Sequence, residues 1–398
     1  GNTDTSDSCP DGPGGTCQPA MLEGMVAGFQ STCAIREQDR ILCFGRADGL
    51  FASPIGSRPT PTAPATLAGF EDIQTFEIGR HTSTISYCAI VVLSGGARDI
   101  YCWGENDYGQ IGDGTIVNDL ITTPTRIVAS VDDVVDDWVD IASSGEYVLA
   151  LRANGEVYGW GRNSTGQLGR GTTSSVGQPV PAPVVGLTDA VEIEASGGFA
   201  CARTMAGQVR CWGSGAFGAL GTDDASTTSQ PGPAVVIDRA STPLTNVLEI
   251  GLSTTGACAR RSDQTVWCWG NLSSDGFYPT NRDFATQTQG LSMASDLACG
   301  NSSCCAVAAS NVWCWGSSAS SGQYGDGTID GRKLPVRVIT DSGFLENAQH
   351  VVAGYAHMCA LVDPGDMVCW GNNNSQQLGR GGGGNLTTAG APDLVFGP

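Results

Sequence analysis

The 398-residue chain carries 40 acidic against 20 basic residues, a formal charge of −20, with 40 % hydrophobic residues, 56 Gly and 19 Pro. That sign excludes nucleic-acid binding by phosphate neutralisation, and no apolar run approaches the ~18–20 residues of a membrane span. Enough hydrophobic residues for a sizeable core, with many Gly and Pro, point to short strands and frequent turns.

Residues 1–20, GNTDTSDSCPDGPGGTCQPA, form an Asp/Ser/Gly/Pro-rich leader, expected to be a linker pinned by a Cys9–Cys17 bridge. The chain opens on Gly1 rather than Met, which reads as a processed form. From 21 to 398 one pattern recurs seven times, around Phe44-Gly45, Trp103-Gly104, Trp160-Gly161, Trp212-Gly213, Trp269-Gly270, Trp315-Gly316 and Trp370-Gly371. The intervals of 46 to 59 residues suit one small sheet per repeat.

Upstream of each landmark lies Cys33-Ala34, Cys88-Ala89, Leu149-Ala150, Cys201-Ala202, Cys258-Ala259, Cys305-Ala306 or Cys359-Ala360. An alanine in all seven copies marks a close-packed position. Text such as CARTMAGQVRCWG alternates apolar and polar residues around a Gly, the pattern of a β-hairpin. A further strand precedes it, with Met25, Phe76, Ile141, Ile193, Ile250, Leu297 and Val351 at one buried position. Downstream come glycine-rich turns such as GQIGDGT and GQLGRGT, then a Pro- and Val-rich strand. Seven units of about four short strands, beginning just after the leader and ending near the C-terminus, predict a ring: an all-β, seven-bladed β-propeller with four-stranded blades.

The pattern Cys-Ala, Gly, then Trp-Gly-x-Asn-x-x-Gly-Gln-Leu-Gly-x-Gly, seen in WGENDYGQIGDGT, WGRNSTGQLGRGT and WGNNNSQQLGRG, resembles the regulator of chromosome condensation repeat family. The resemblance covers roughly residues 21–398 and implies a seven-bladed propeller of about fifty residues per blade. Copies one and five (FGRADGLFAS, WGNLSSDGFYPT) depart in the glycine-rich turn. At the position where this family commonly carries a His tying blades together stands His357. Ser31, Tyr147, Phe199, Gly256 and Ser303 occupy it in other copies, so the tie reads as largely abandoned.

Sixteen cysteines without CxxC spacing, beside only three histidines (His81, His350, His357), favour disulfides over metal clusters and an oxidising compartment. Cysteines nine to fourteen residues apart face each other across a hairpin. The expected pairs are Cys33–Cys43, Cys88–Cys102, Cys201–Cys211, Cys258–Cys268, Cys305–Cys314 and Cys359–Cys369. Proximity adds Cys299–Cys304 beside Cys9–Cys17. In copy three both positions change together, to Leu149 and Gly159.

No Gly-x-Ser-x-Gly elbow, His-Glu-x-x-His or phosphate loop is present, so a non-catalytic protein is expected. Nine residues before the first hairpin cysteine, or its equivalent, stand Asp140, Glu192, Glu249, Asp296 and His350, with Gly24 and Thr75 in copies one and two. If this residue begins the innermost strand, it forms a partial acidic ring at one end of the channel, suited to a cation or a basic partner group. The run VDDVVDDWVD offers Asp132, Asp133, Asp136 and Asp137 as oxygen ligands for calcium, without the DxDxDG order of a calcium loop. No other cofactor is indicated. Sequons occur at Asn163, Asn271, Asn301, Asn373 and Asn385.

Eukaryotic members of the resembled family include a nuclear nucleotide-exchange factor engaging a small GTPase and chromatin. The cysteines, the acidity and the lack of a basic tail argue against that role here. The expectation is a secreted or cell-surface scaffold that binds a protein partner or copies of itself. The alternatives are a self-assembling subunit of an extracellular filament or surface layer, and an extracellular glycan-acting hydrolase or lyase.

Overall fold

Seven consecutive stretches of chain each form one antiparallel four-stranded sheet. The computed structural model describes residues 22–36, 40–46, 57–62, 73–79, 85–93, 95–128, 137–223, 228–272, 282–317, 320–362, 366–380 and 383–390. The leader with Cys9 and Cys17, together with His81, Asp132, Asp133 and Asp136, lies outside these residues. In every sheet the strands lie side by side in sequence order, so each blade is a simple meander. Blade 6 adds a small hairpin, Ile339–Thr340 with Gly343–Phe344.

The first strands are Leu22–Ala27, Ile73–Ile78, Trp138–Ser143, Ala190–Ser196, Val247–Leu252, Ala294–Cys299 and Ala348–Ala353. Each contacts the first strands of both neighbouring blades, and blade 7 contacts blade 1, so the ring is closed with these strands innermost. Their shared apolar residues, from Met25 to Val351, are at most 7 % exposed, and the seven hairpin alanines at most 1 %. Among the described residues there are seven hydrophobic clusters, one per seam between blades. Burying both faces of each sheet supplies the main stabilising term, roughly 1.5–3 kcal/mol per large apolar side chain.

The Trp-Gly landmark and the glycine-rich turn are two halves of one clamp. Trp160 Nε1 donates to the Gln110 carbonyl in the turn of the preceding blade at 2.9 Å. Trp212 does the same to Gln167, Trp269 to Ala219 and Trp370 to Gln323, at 2.8–2.9 Å. The turn must bring its backbone against the indole: a Cβ on Gly112 would stand 2.7 Å from Trp160 Nε1, and Gly112 has φ +79°. Copies one and five depart from the turn pattern, and the indoles that follow them, Trp103 and Trp315, have Nε1 atoms without a partner among the described residues.

The hairpin cysteines are cross-strand neighbours, and six hairpins are closed by Cys33–Cys43, Cys88–Cys102, Cys201–Cys211, Cys258–Cys268, Cys305–Cys314 and Cys359–Cys369, with Cα–Cα distances of 4.0–4.2 Å. Cys299–Cys304 joins the first and second strands of blade 6. Adjacent Cys304 and Cys305 point to opposite faces of their strand, so one sheet accommodates both bridges. None of the described cysteines is free.

Ring closure rests on a buried polar knot. Thr32 Oγ1 of blade 1 donates to the Gln377 carbonyl of blade 7 at 2.9 Å, so it accepts from His357 Nε2 at 2.8 Å. Burial pushes the His357 pKa down to about 3, keeping the imidazole neutral. Two other copies keep a tie with different chemistry, while Phe199 and Gly256 offer no polar side chain and Ser303 Oγ has no partner among the described residues. Ser86 Oγ meets Ser143 Oγ at 3.2 Å, and the Tyr147 hydroxyl donates to the Phe199 carbonyl.

Candidate functional site at the channel end

Each innermost strand begins with a bulge, where two residues oppose one on the second strand; in blade 4 the pairing jumps from Ala190 to Glu192. Equivalent shifts occur in the other six blades. A bulge re-aims side chains at a strand end. Here it turns the acidic residue sideways, toward the next blade.

The carboxylates therefore act as lacing. Glu192 Oε1 accepts from the Ile250 N–H of blade 5 at 2.9 Å, while Oε2 holds Arg203 Nε at 2.5 Å. Glu249 Oε1 accepts from Leu297 N–H of blade 6 at 3.2 Å and Oε2 holds Arg260 Nε at 2.6 Å. Asp296 Oδ2 accepts from Val351 N–H of blade 7 at 2.7 Å and lies 2.9 Å from His350 Nδ1. Asp140 accepts from Ile141 N–H at 2.9 Å and from Ile193 N–H of blade 4. Ile141 apart, the amides so bound belong to the buried apolar residues of the next innermost strand, on the edge that no described strand covers.

Burial raises the Asp140 pKa to about 7, with repulsion from Glu194 and Glu192 adding to it. Burial and then Asp296 raise Glu249 to about 7 against the pull of Arg260. Burial also raises Glu192, outweighing Arg203. The hydrogen bond to Asp296 raises His350.

Among the predicted ring residues, Asp140 and Glu192 share a cavity of about 90 Å³ with Glu77 and Glu194, Asp296 meets His350 further round, and Glu249 feels the charge of both Asp296 and Glu192. Glu77 and Glu194 were not singled out in the sequence; they stand on innermost strands, Glu194 two residues beyond the ring position. Of the four candidate calcium ligands, only Asp137 lies among the described residues, and it pairs with Arg152 at 2.8 Å. Among the described residues, only Cys258, Cys299 and Cys304 group three ligand atoms closely enough for a metal, and all three sulfurs are in disulfides. No described helix is long and apolar enough to cross a membrane.

The face of the ring where the innermost strands begin also carries the turns between second and third strands. Val191, Met205, Leu248 and Met293, in blades 4 to 6, are 39 %, 79 %, 48 % and 57 % exposed there. Met205 N–H bonds to Asp189 O, and Val247 N–H to Gly207 O, placing the Met205 turn between Val191 and Leu248.

A closed ring of seven four-stranded meanders, clamped by indoles against glycine-rich turns, defines a β-propeller. The family model of the RCC1-like domain matches residues 99–395, and the chain belongs to that family. It is 28 % identical over 291 residues to human E3 ubiquitin-protein ligase HERC2, covering 71 % of this chain and 6 % of that protein. It is 27 % identical over 300 residues to the ultraviolet-B receptor UVR8 of Arabidopsis thaliana, covering 74 % and 65 %. The chain thus spans less than two thirds of either relative. Human WBSCR16 shares the fold with a TM-score of 0.73 at 16 % identity, covering 89 % of this chain and 94 % of that one. Yeast RCC1 (Prp20), in a structure with Kap60, gives 0.71 at 17 %, covering 99 % and 92 %.

Proposed function

We propose that this chain is a non-catalytic binding scaffold working in an oxidising, extracellular or cell-surface setting, and that a protein partner docks on the channel-end face. The observation that carries the reading is the set Val191, Met205, Leu248 and Met293, large apolar side chains left exposed on one face of three successive blades. Such groupings mark interaction surfaces. The paired state of the described cysteines supports the compartment. Yeast RCC1 (Prp20), which shares the fold, was solved bound to Kap60, and this supports a recognition role by likeness alone. Glu192 and Glu249 are held by arginines and backbone amides, which speaks against a glycan-cleaving acid–base pair built on them.

The test is chemical cross-linking in native extract, comparing wild type with Met205→Asp/Leu248→Asp. The expected result is loss of specific cross-linked species in the variant; unchanged species would overturn this face as the docking site. Sedimentation of the purified chain separates a foreign partner from self-assembly: concentration-dependent oligomers abolished by the same variant would favour the filament or surface-layer subunit.

A further inference from the structure

We infer that the seam between blades 5 and 6 is built for a covalent inter-blade lock, a Cys258–Cys304 disulfide reached by thiol–disulfide exchange. Cys258–Cys268 closes the hairpin of blade 5, and Cys299–Cys304 joins two strands of blade 6. The two bridges face each other across the seam, with Cys258 Sγ and Cys304 Sγ 3.6 Å apart. Neither sulfur carries a proton, so this is a contact between closed disulfides and not a hydrogen bond. Cys258, Cys299 and Cys304 place their sulfurs within 4.8 Å of one another, and no other cysteine trio among the described residues does so.

Two features of the seam favour the exchange. Gly251, paired with Cys258 on the adjacent strand, has no side chain to hold blade 6 away; a Cβ there would stand 3.2 Å from Cys299 Sγ. At the same seam Trp315 Nε1 has no partner among the described residues, whereas the indoles of the seams on either side, Trp269 and Trp370, donate to the preceding turns. A disulfide spanning two packed sheets is sterically ordinary, as immunoglobulin sandwiches demonstrate.

The chemistry balances with one class of co-reactant, a low-molecular-weight thiol. Its thiolate bonds to Cys268 Sγ, the Cys258–Cys268 bond breaks, and the electron pair leaves on Cys258. The Cys258 thiolate bonds to Cys304 Sγ, the Cys299–Cys304 bond breaks, and Cys299 departs with the pair and takes a proton from water. A second thiol resolves the mixed disulfide, releasing Cys268 as a thiol and the small molecule as its disulfide. The four sulfurs are at most 1 % exposed, so the reaction runs when this seam opens or while the chain folds. The product keeps one bridge of the original two and moves it across a seam whose indole Nε1 has no partner among the described residues, so partial reduction ties blades 5 and 6 together there.

The test uses the full chain with Cys268→Ser/Cys299→Ser, refolded in a glutathione redox buffer and mapped as peptides without reduction. The expected result is a Cys258–Cys304 peptide and no alkylatable thiol at either position. The reciprocal variant, Cys258→Ser/Cys304→Ser, should retain free thiols at Cys268 and Cys299. Free Cys258 and Cys304 in a variant whose near-ultraviolet circular dichroism matches wild type would overturn the inference, as would equal cross-linking in the reciprocal variant. Should neither variant fold, wild type treated with limiting dithiothreitol and quenched in acid gives the answer. Cys258–Cys304 should be the first non-native linkage, and loss of native bridges without it would overturn the inference.

Discussion

Leu149 and Gly159 face each other across the second and third strands of blade 3, at the register held by Cys201 and Cys211 in blade 4. A Cβ on Gly159 would stand 3.0 Å from Leu149 Cδ2, so the leucine fills the volume that a bridge fills elsewhere. Leucine plus glycine supplies as many side-chain heavy atoms as two cysteines, which explains why both positions change together. Leu149→Cys/Gly159→Cys should therefore close a seventh hairpin bridge, stabilising the chain by about 2–3 kcal/mol through the short loop it closes. Gly159→Cys alone overpacks the site and should cost about 1–3 kcal/mol. Thermal melts with and without reductant check both; a double variant no more stable when oxidised would refute the exchange of volumes.

The indole clamp makes a differential prediction. Trp160→Phe and Trp103→Phe remove similar volume from fully buried sites. Trp160 also loses a hydrogen bond, to the Gln110 carbonyl, whereas Trp103 Nε1 has no partner among the described residues. Trp160→Phe should be the more destabilising by about 1 kcal/mol. Equal losses in urea melts would mean that the Trp160 hydrogen bond contributes nothing.

Landmark residues make the blades legible in the sequence because each has one physical job: Trp160 needs a glycine turn to press on, and the hairpin alanine needs a gap between sheets. The ring position of Glu192 is legible for the same reason, but its role is not. A bulge breaks the two-residue alternation without changing composition, so nothing in the text shows that Glu192 turns toward Ile250. The tie at Ser86 and Tyr147 escapes a motif reading because serine and tyrosine do with a hydroxyl what His357 does with an imidazole.

Sequons mislead for a related reason. Asn163 and Asn373 are 2 % and 3 % exposed, and their Oδ1 atoms accept from Leu168 and Leu378 N–H at 3.1 and 3.0 Å. Asn163 Nδ2, the atom a glycan would occupy, donates to the Thr172 carbonyl at 3.0 Å. Both hold the glycine-rich turn, as Asn106 does without any sequon. Asn385 is exposed beside the outer strand Leu386–Gly390. Folded protein secreted from a glycosylating host should carry a glycan at Asn385 and none at Asn163 or Asn373, as read by glycopeptide mapping. Occupancy at Asn163 in folded material would contradict its place in the turn.

The channel-end lacing sets the pH dependence of stability. Asp140 and Glu249, raised to about 7, bind protons more tightly folded than unfolded, where such groups titrate near ~4. Their contribution is complete below ~4 and is lost as pH rises through 7. His350, raised by Asp296, acts in the same direction at the alkaline end. His357 opposes them: lowered to about 3, its contribution is complete above ~6.5 and is lost as pH falls toward 3. Two carboxylates outweigh one imidazole between about pH 6.5 and 4.5; below that the imidazole loss remains, joined by that of Asp263, held low by its Thr265 hydrogen bond, and Asp326, held low against its burial by Thr328 and Arg332. Relief of self-repulsion in a chain of charge −20 adds to the acid-side gain. Stability should therefore peak on the acid side, near pH ~4.5, and fall toward pH 8. Glu249→Gln should shrink the difference in melting temperature between pH 5 and pH 8, because one of the groups that creates it no longer titrates. A wild-type melting temperature that rises from pH 5 to pH 8 would show that the carboxylates lacing the blades are not held in the buried state described.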